Sequence, residues 1–437
     1  MSGIAEILAH FGFTVTGSDR SDSEIIRKLI SKGISVQIGH DLNNSRKANL
    51  VVYTAAVKQD DPELVQAHKF NIPTMERADF LGQITKLYKD TICISGTHGK
   101  TTTTSMVSLC FLEAGFNPTI QVGAILKQID GNNYIGSKDY FIIEACEYVE
   151  SFLKFYPKSE IILNIDNDHL DYFKTFDNIK NAFIKYVKLI PKDGLLVING
   201  DDINCLDLAN VTKSKFVTYG LNNQQVDFYA KNLVSDEDGF YQFDVYHNGE
   251  FYERFKLSVP GIHNVSNALA CIALCDGYGV PKEAMQKALL SFTGADRRFD
   301  YVGKYKNITV YDDYAHHPTE ILSLYNSVKN KKHHENWIIF QSHTYSRTKN
   351  LLDDFAKVLA NFDHIIITDI YAARETNQFG ISPEDLVSKI ATHGKSATYI
   401  SKFEDIASYI RKNAKDNDIV LTVGAGTITQ LGKLIVE

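Results

Sequence analysis

Between Cys93 and Thr104 the chain reads CISGTHGKTTTT, and this stretch restricts the fold more than any other. An apolar run, TICIS, enters it; a helical pattern, TTTSMVSLCFLEAG, leaves it and closes at Gly115. In a strand–glycine turn–helix unit the first backbone N–H groups of the helix converge on an anion, and the helix dipole favours negative charge there. Gly99-Lys100-Thr101 is the ending of a nucleotide-phosphate loop. The common spacing, G-x-x-x-x-G-K-[ST], needs a first glycine at position 94, which is Ile94; the glycine is Gly96, giving a contracted G-x-x-G-K-T. The flanking strand and helix still favour phosphate binding over an ordinary turn. On that reading Lys100 sits near the β- and γ-phosphates of ATP, and the Thr101 hydroxyl can ligate Mg²⁺.

A chain of 437 residues has room for about three domains. The pattern places them at 1–87, 88–295 and 296–437, all α/β. The first opens inside a helix, SGIAEILAHFG, with Ile4, Ile7, Leu8 and Phe11 on one face. Strands FTVTGSD, ISVQI, NLVVYTAAV and IPTME follow. A doubly wound domain usually begins with a strand and a glycine-rich turn, and neither precedes this helix. In the second domain YFIIEA and EIILNID suit parallel strands buried on both faces. Alternation around Asn248-Gly249 then signals a hairpin, read as an antiparallel appendage. In the third, ITVYDD, WIIFQS, HIIITDI, ATYI and DIVLTVGAG suggest an open parallel sheet.

A net charge of −7 argues against a general nucleic-acid or membrane surface. The basic run Lys329–His334 reads as a solvated loop. Six cysteines are scattered without a C-x-x-C; Cys271 and Cys275 share a helix face but lack partners at ligand spacing, which favours reduced, buried thiols. No apolar run reaches membrane-spanning length. The expectation is a cytoplasmic protein, monomer or homodimer, with small-molecule partners and no membrane insertion.

Polar clusters follow the apolar strands, at the sheet edge where open α/β folds bind ligands. Glu144 ends YFIIE beside the phosphate loop, where a carboxylate suits Mg²⁺. Glu147 and Glu150 read as solvated or as helix caps. Asn164, Asp166, Asp168, His169 and Asp171 crowd one turn, which fits either a second metal or phosphate-facing site, or an acid-rich helix start. Asn264 and Asn267 lie one helical turn apart. Arg297 and Arg298 sit at a domain junction, free to reach a phosphate or to form an interdomain ion pair. Asp312, Asp313, Tyr314, His316 and His317 follow one strand; His343, Tyr345 and Arg347 follow the next. Two such clusters on adjacent loops suit a small anionic or zwitterionic ligand, its carboxylate held by the planar arginine fork.

Taken in order, GTHGKTTTT, EACEYVESFL, NIDNDHLDYF, GIHNVSNALA, DRRF, YDDYAHHPTE, FQSHTYSRT, DIYAARE and GAGTI resemble the Mur ligases across the whole chain, in particular the branch that adds L-alanine. The resemblance implies a Rossmann-like N-terminal domain, a central P-loop ATPase-type domain and a Rossmann-like C-terminal domain. It implies UDP-N-acetylmuramate and L-alanine as substrates, joined with ATP and Mg²⁺ through an acyl phosphate. Residues Gly96, Thr97, His98, Gly99, Lys100, Thr101 and Thr102 would then bind ATP phosphates, with Asn264 and Arg298 near the nucleotide. Thr101, Glu144 and His169 would serve magnesium. Tyr314, His343 and Arg347 would surround the alanine, and Ser18 and Asp19 the UDP-sugar. Lys100, Glu144, His169 and Arg347 would carry the chemistry. Thr427 stands where many members have aspartate, and ETNQFG matches loosely. The family opens with a strand and a glycine-rich turn ending in Met-Ser-Gly; this sequence starts at that Met, so the expectation is an N-terminal domain lacking its first strand and binding the UDP-sugar weakly.

Overall fold

A computed structural model describes residues 1–40 and 42–437, with the Asp171 side chain also outside the description. The strand Asp90–Ser95 that feeds the phosphate loop lies inside a ten-stranded sheet, between parallel neighbours Tyr140–Glu144 and Ser159–Ile162. Its side chains alternate between two cores, as the strand period requires. Ile92 and Ile94 face a core shared with the helices Lys100–Glu113 and Ile262–Gly277. Cys93 faces the other, which holds Phe152, Phe183 and, from the N-terminal unit, Ile4 and Ile7. With both faces covered, a continuous apolar run is the only composition that fits.

The sheets add detail to the sequence reading at two points. The hairpin at Asn248-Gly249 is present, with positive φ at both residues (51° and 88°), as a two-residue turn demands. The antiparallel appendage is built onto the edge of the central sheet: Lys215–Gly220 pairs in parallel with Phe228–Ser235, and the antiparallel strands Phe240–His247 and Glu250–Pro260 continue from it. The C-terminal sheet of six strands is not wholly parallel either. Asp300–Tyr305 runs antiparallel along its edge to Ile308–Asp313. The two-residue link between them is far too short for the crossover that a parallel pair needs.

In the N-terminal unit Thr16–Asp19 pairs in parallel with Ser35–Ile38, and Val51–Tyr53 with Thr74–Glu76. Among the described residues these two ribbons form separate sheets. Cys271 and Cys275 gain a third neighbour that sequence spacing hid: Cys110, on the phosphate-loop helix, lies 3.7 Å from Cys271, and all three thiols are buried and free.

One buried acid stands out. Glu160, opposite Cys93 in the sheet register, is fully buried and neither carboxyl oxygen has a hydrogen-bond partner among the described residues. Burial holds its carboxyl well above the usual carboxylate range. The folded protein therefore keeps a proton that the unfolded chain releases near pH 4.5, so stability falls as pH rises past that point. Glu160→Leu is expected to stabilise the protein by about 1–3 kcal/mol. The gain should be larger at pH 8 than at pH 5 in denaturant melts; a pH-independent difference would show that the carboxyl is not the titrating group.

Candidate active site

The contracted loop is a tight cradle. Gly96 (φ 130°) and Gly99 (φ 87°) both take left-handed backbone. A Cβ on Gly96 would lie 2.9 Å from the Leu163 Cβ, and one on Gly99 would lie 2.7 Å from the Asn267 Oδ1. The turn brings Lys100 back over its own loop, where Nζ donates to the carbonyls of Gly96 and Thr97 (2.9 Å for the latter) and to Glu147 Oε2 at 3.0 Å. Burial draws the lysine pKa down, but Glu147 outweighs it and the net shift is upward. Glu147 thus is not solvated, and although it stands at the N-cap position of the turn Tyr148–Lys154, its side chain makes no cap there. It is 2 % exposed, and its Oε1 also lies 3.8 Å from His169 Nε2. Glu150 does face outward, pairing with Lys185.

Beside the lysine, Thr101 Oγ1 donates to Glu144 Oε2 at 3.2 Å, and the Gly123 N–H donates to Glu144 Oε1. Burial raises the Glu144 carboxyl, the mark of an acid in want of a cation. A hydroxyl and a carboxylate in contact at the mouth of a phosphate loop form the oxygen donor set that a hard divalent ion takes, so Thr101 and Glu144 fit Mg²⁺. His169, at φ 57°, presents its imidazole to Glu147 and Asp168 rather than to this pair.

A cavity of about 490 Å³ opens in front of the loop, bounded by His98, Thr102, Asn264, Asn267, Arg298 and Glu320 among others. Asn264 Nδ2 donates to the Pro260 carbonyl, and its Oδ1 accepts from Asn267 Nδ2, so the two amides brace one another at the cavity wall. The adjacent arginines part company. Arg297 is tied to Asp312 within its own domain, while Arg298 turns into the cavity, 3.7 Å from Glu320. His98 bridges the domains: Nε2 lies 3.0 Å from Asp166 Oδ2 and Nδ1 3.5 Å from Glu320 Oε1. Burial disfavours its charge, but the hydrogen bonds to Asp166 and Glu320 prevail and raise it to about 9.

A second cavity, of about 420 Å³, is lined by Asp168, His169, Tyr314, His316, His343 and Arg347 among others. Arg347 Nη2 donates to Asp168 Oδ1 at 2.9 Å, and Nη1 sits 3.3 Å from His343 Nδ1. Burial lowers His316 and His343 to about 4, so both rings are neutral at pH 7. Burial pushes the Asp168 carboxyl up, but the charges of His169 and Arg347 win and hold it well below the ordinary range. The two cavities flank one segment: Asp166 lines the first and Asp168 the second.

The structure thus gathers Thr101, Glu144 and Lys100 at one point, Asn264 and Arg298 along the first cavity, and Tyr314, His343 and Arg347 around the second. Ser18 and Asp19 line neither cavity; they lie on the first N-terminal ribbon. Within the NIDNDHLDYF cluster, Asn164 Oδ1 accepts from the His98 N–H, locking the loop, and the Asp171 side chain lies outside the described residues. Sequence reasoning missed Thr319 and Glu320. Thr319 Oγ1 donates to Asp166 at 2.9 Å and Glu320 meets His98, so the start of the helix Pro318–Lys329 locks the C-terminal domain onto the loop. The only signal was the sequence HPTE, which reads equally well as a helix cap, and the capping box is indeed made.

Three family models match consecutive parts of the chain: "Mur ligase family, catalytic domain" over residues 1–89, "Mur ligase middle domain" over 94–275 and "Mur ligase, glutamate ligase domain" over 297–426. The chain is 47% identical over 437 residues to the UDP-N-acetylmuramate–L-alanine ligase of Acetivibrio thermocellus, covering all of this chain and 93% of that protein. It is 48% identical to the enzyme of the same name from Caldicellulosiruptor bescii, covering 100% and 96%. The crystal structure of the UDP-N-acetylmuramate-alanine ligase from Thermotoga maritima superposes with a TM-score of 0.84 at 30% identity, over 100% of this chain and 95% of that one. A murein peptide ligase from Psychrobacter arcticus shares the fold (TM-score 0.73, 24% identity). With a three-domain fold, a contracted phosphate loop and near-half identity along its entire length, this chain belongs to the Mur ligase family.

Proposed function

We infer that the protein joins L-alanine to the lactyl carboxylate of UDP-N-acetylmuramate with conversion of ATP to ADP and phosphate, a step of peptidoglycan synthesis. The observation that carries this reading is the pair of cavities on either side of Asp166–Asp168. One opens on a phosphate loop; the other presents an arginine fork between neutral imidazoles. A carboxylate is a poor electrophile because its leaving group is oxide. Taking a phosphoryl group converts it to an acyl phosphate, which the alanine amine attacks as phosphate leaves.

Catalysis of the first step is positioning and neutralisation of charge on phosphoryl oxygens. Lys100 exchanges its present carbonyl partners for phosphate oxygens, and Glu147 keeps the ammonium aimed. Thr101 and Glu144 would hold Mg²⁺, which when bound would shield the phosphate charges, and His169 would contribute from the Glu147 side. Asn264 and Arg298 line the nucleotide's cavity. In the second step Arg347 binds the alanine carboxylate and leaves the amine free, while Tyr314 and His343 shape the pocket. The contacts of Thr319 and Glu320 across the cleft keep water from the acyl phosphate. Ser18 and Asp19 serve the UDP-sugar.

The decisive experiment measures phosphate release with UDP-N-acetylmuramate and ATP present. L-Alanine is expected to support it, whereas L-alanyl-γ-D-glutamyl-diaminopimelate is not. Release with the peptide alone would reassign the chain to a peptide-adding sibling.

A further inference from the structure

In the basic run Lys329–His334, Lys329, Asn330, Lys332 and His334 are exposed, as a solvated loop requires, but two of its residues are tied to acids. Lys331 is tied to Asp238 with its side chain 11% exposed, and His334 Nδ1 lies 2.8 Å from Asp418 Oδ1. Asp418 is fully buried and rigidly held: its carboxylate accepts from the backbone N–H groups of Glu335 and Lys415 and from the indole N–H of Trp337 at 2.9 Å. Above it, Glu335 Oε2 lies 3.8 Å from His334 Nδ1 and 3.2 Å from His364 Nε2. We propose that His334, Glu335 and Asp418 form a second metal site, for a borderline divalent ion such as Zn²⁺ or Ni²⁺, with His364 orienting Glu335.

Three features support it. The ligand atoms of these three residues lie within 4.8 Å of one another. The separations from His334, 2.8 Å to Asp418 and 3.8 Å to Glu335, bracket the roughly 3.3 Å edge of a tetrahedron whose ligands stand about 2.0–2.1 Å from zinc. Asp418 Oδ2 is fixed by the Lys415 N–H and the Trp337 indole, which leaves Oδ1, shared with the Glu335 N–H, toward His334, and the His364 contact holds Glu335 at Oε2; metal-ligating carboxylates are commonly hydrogen-bonded in turn. One imidazole and two carboxylates suit a borderline ion better than Mg²⁺, which prefers oxygen alone. The site lies at the strand starts Asn336 and His364 and just before Ile419, whereas the catalytic loops follow the opposite ends of the same strands. Its occupancy is therefore separate from catalysis. The competing cation is Lys415, whose Nζ is 3.8 Å from Glu335.

Trp337 is the only tryptophan in the chain; it bonds Asp418 and stacks on His364 with ring centroids 3.8 Å apart. Titrating the full-length protein with Ni²⁺ should quench its fluorescence saturably at one equivalent, Zn²⁺ should reverse the quenching, and excess Mg²⁺ should not. H334A and E335Q, both at exposed or half-exposed positions, should each weaken binding by about 10–100-fold. K415A should tighten it several-fold, which a purely structural ion-pair network would not do. Non-saturating quenching, superimposable curves for wild type and H334A, or weaker binding by K415A would overturn the assignment.

Discussion

Replacing Lys100 with alanine is expected to slow UDP-N-acetylmuramate- and L-alanine-dependent phosphate release by about 10³-fold, the size of effect seen when one preorganised donor to a developing anion is removed. The lysine also neutralises the buried Glu147, but its position at the loop is what the chemistry needs. Its ammonium hovers over the carbonyls of Gly96 and Thr97, an arrangement that anionic oxygens would readily displace. The substitution leaves Glu147 buried beside an empty space, so a structural collapse has to be separated from a chemical loss. Glu147→Gln in the Lys100→Ala background removes the stranded carboxylate. That double variant should regain thermal stability yet stay inactive. The Michaelis constant for alanine should hardly move in either variant, because Arg347 lies in the other cavity. A Lys100→Ala enzyme within tenfold of wild type would remove the phosphate loop from the mechanism.

The sequence made the centre of the molecule legible and left its edges obscure, for physical reasons. Buried parallel strands such as Asp90–Ser95 and Tyr140–Glu144 carry apolar residues toward both faces, so they announce themselves. The loop glycines do so too, because a Cβ at Gly96 or Gly99 has nowhere to go. Edge strands such as Asp300–Tyr305 are half exposed and carry mixed residues, so their direction depended on a two-residue turn that patterning does not register. The least legible features were pairings between domains. Glu147 looked like any acid near a helix start until Lys100 was folded onto it from 47 positions away, and Asp168 meets Arg347 across 179. Sequence reading placed Arg347 at a ligand through its polar cluster and chose Arg298 over Arg297 through resemblance; the fold turns Arg298 into the first cavity and ties Arg297 to Asp312.

Arg347→Ala is expected to raise the Michaelis constant for L-alanine by about 10²–10⁴-fold, since each charge-assisted hydrogen bond in a dry site contributes about 1.5–3 kcal/mol and the fork offers two. The surroundings make the arginine hard to replace. His316 and His343 are held neutral by burial, and in the case of His343 by the charge of its neighbours, so neither supplies a second cation at pH 7. Asp168 sharpens the argument. In the present arrangement its carboxylate occupies the guanidinium at 2.9 Å, standing where the amino acid's own carboxylate is expected. Without Arg347, Asp168 becomes a repelling anion at the mouth of the pocket. Asp168→Asn added to Arg347→Ala should therefore recover part of the lost affinity, although Asp168→Asn alone does not improve on wild type. Arg347→Lys should recover less than the full loss, because an ammonium cannot bond both oxygens in one plane. The Michaelis constant for ATP is the internal control: it should stay within threefold throughout, and a parallel rise would mean that Arg347 closes the domains rather than grips the amino acid.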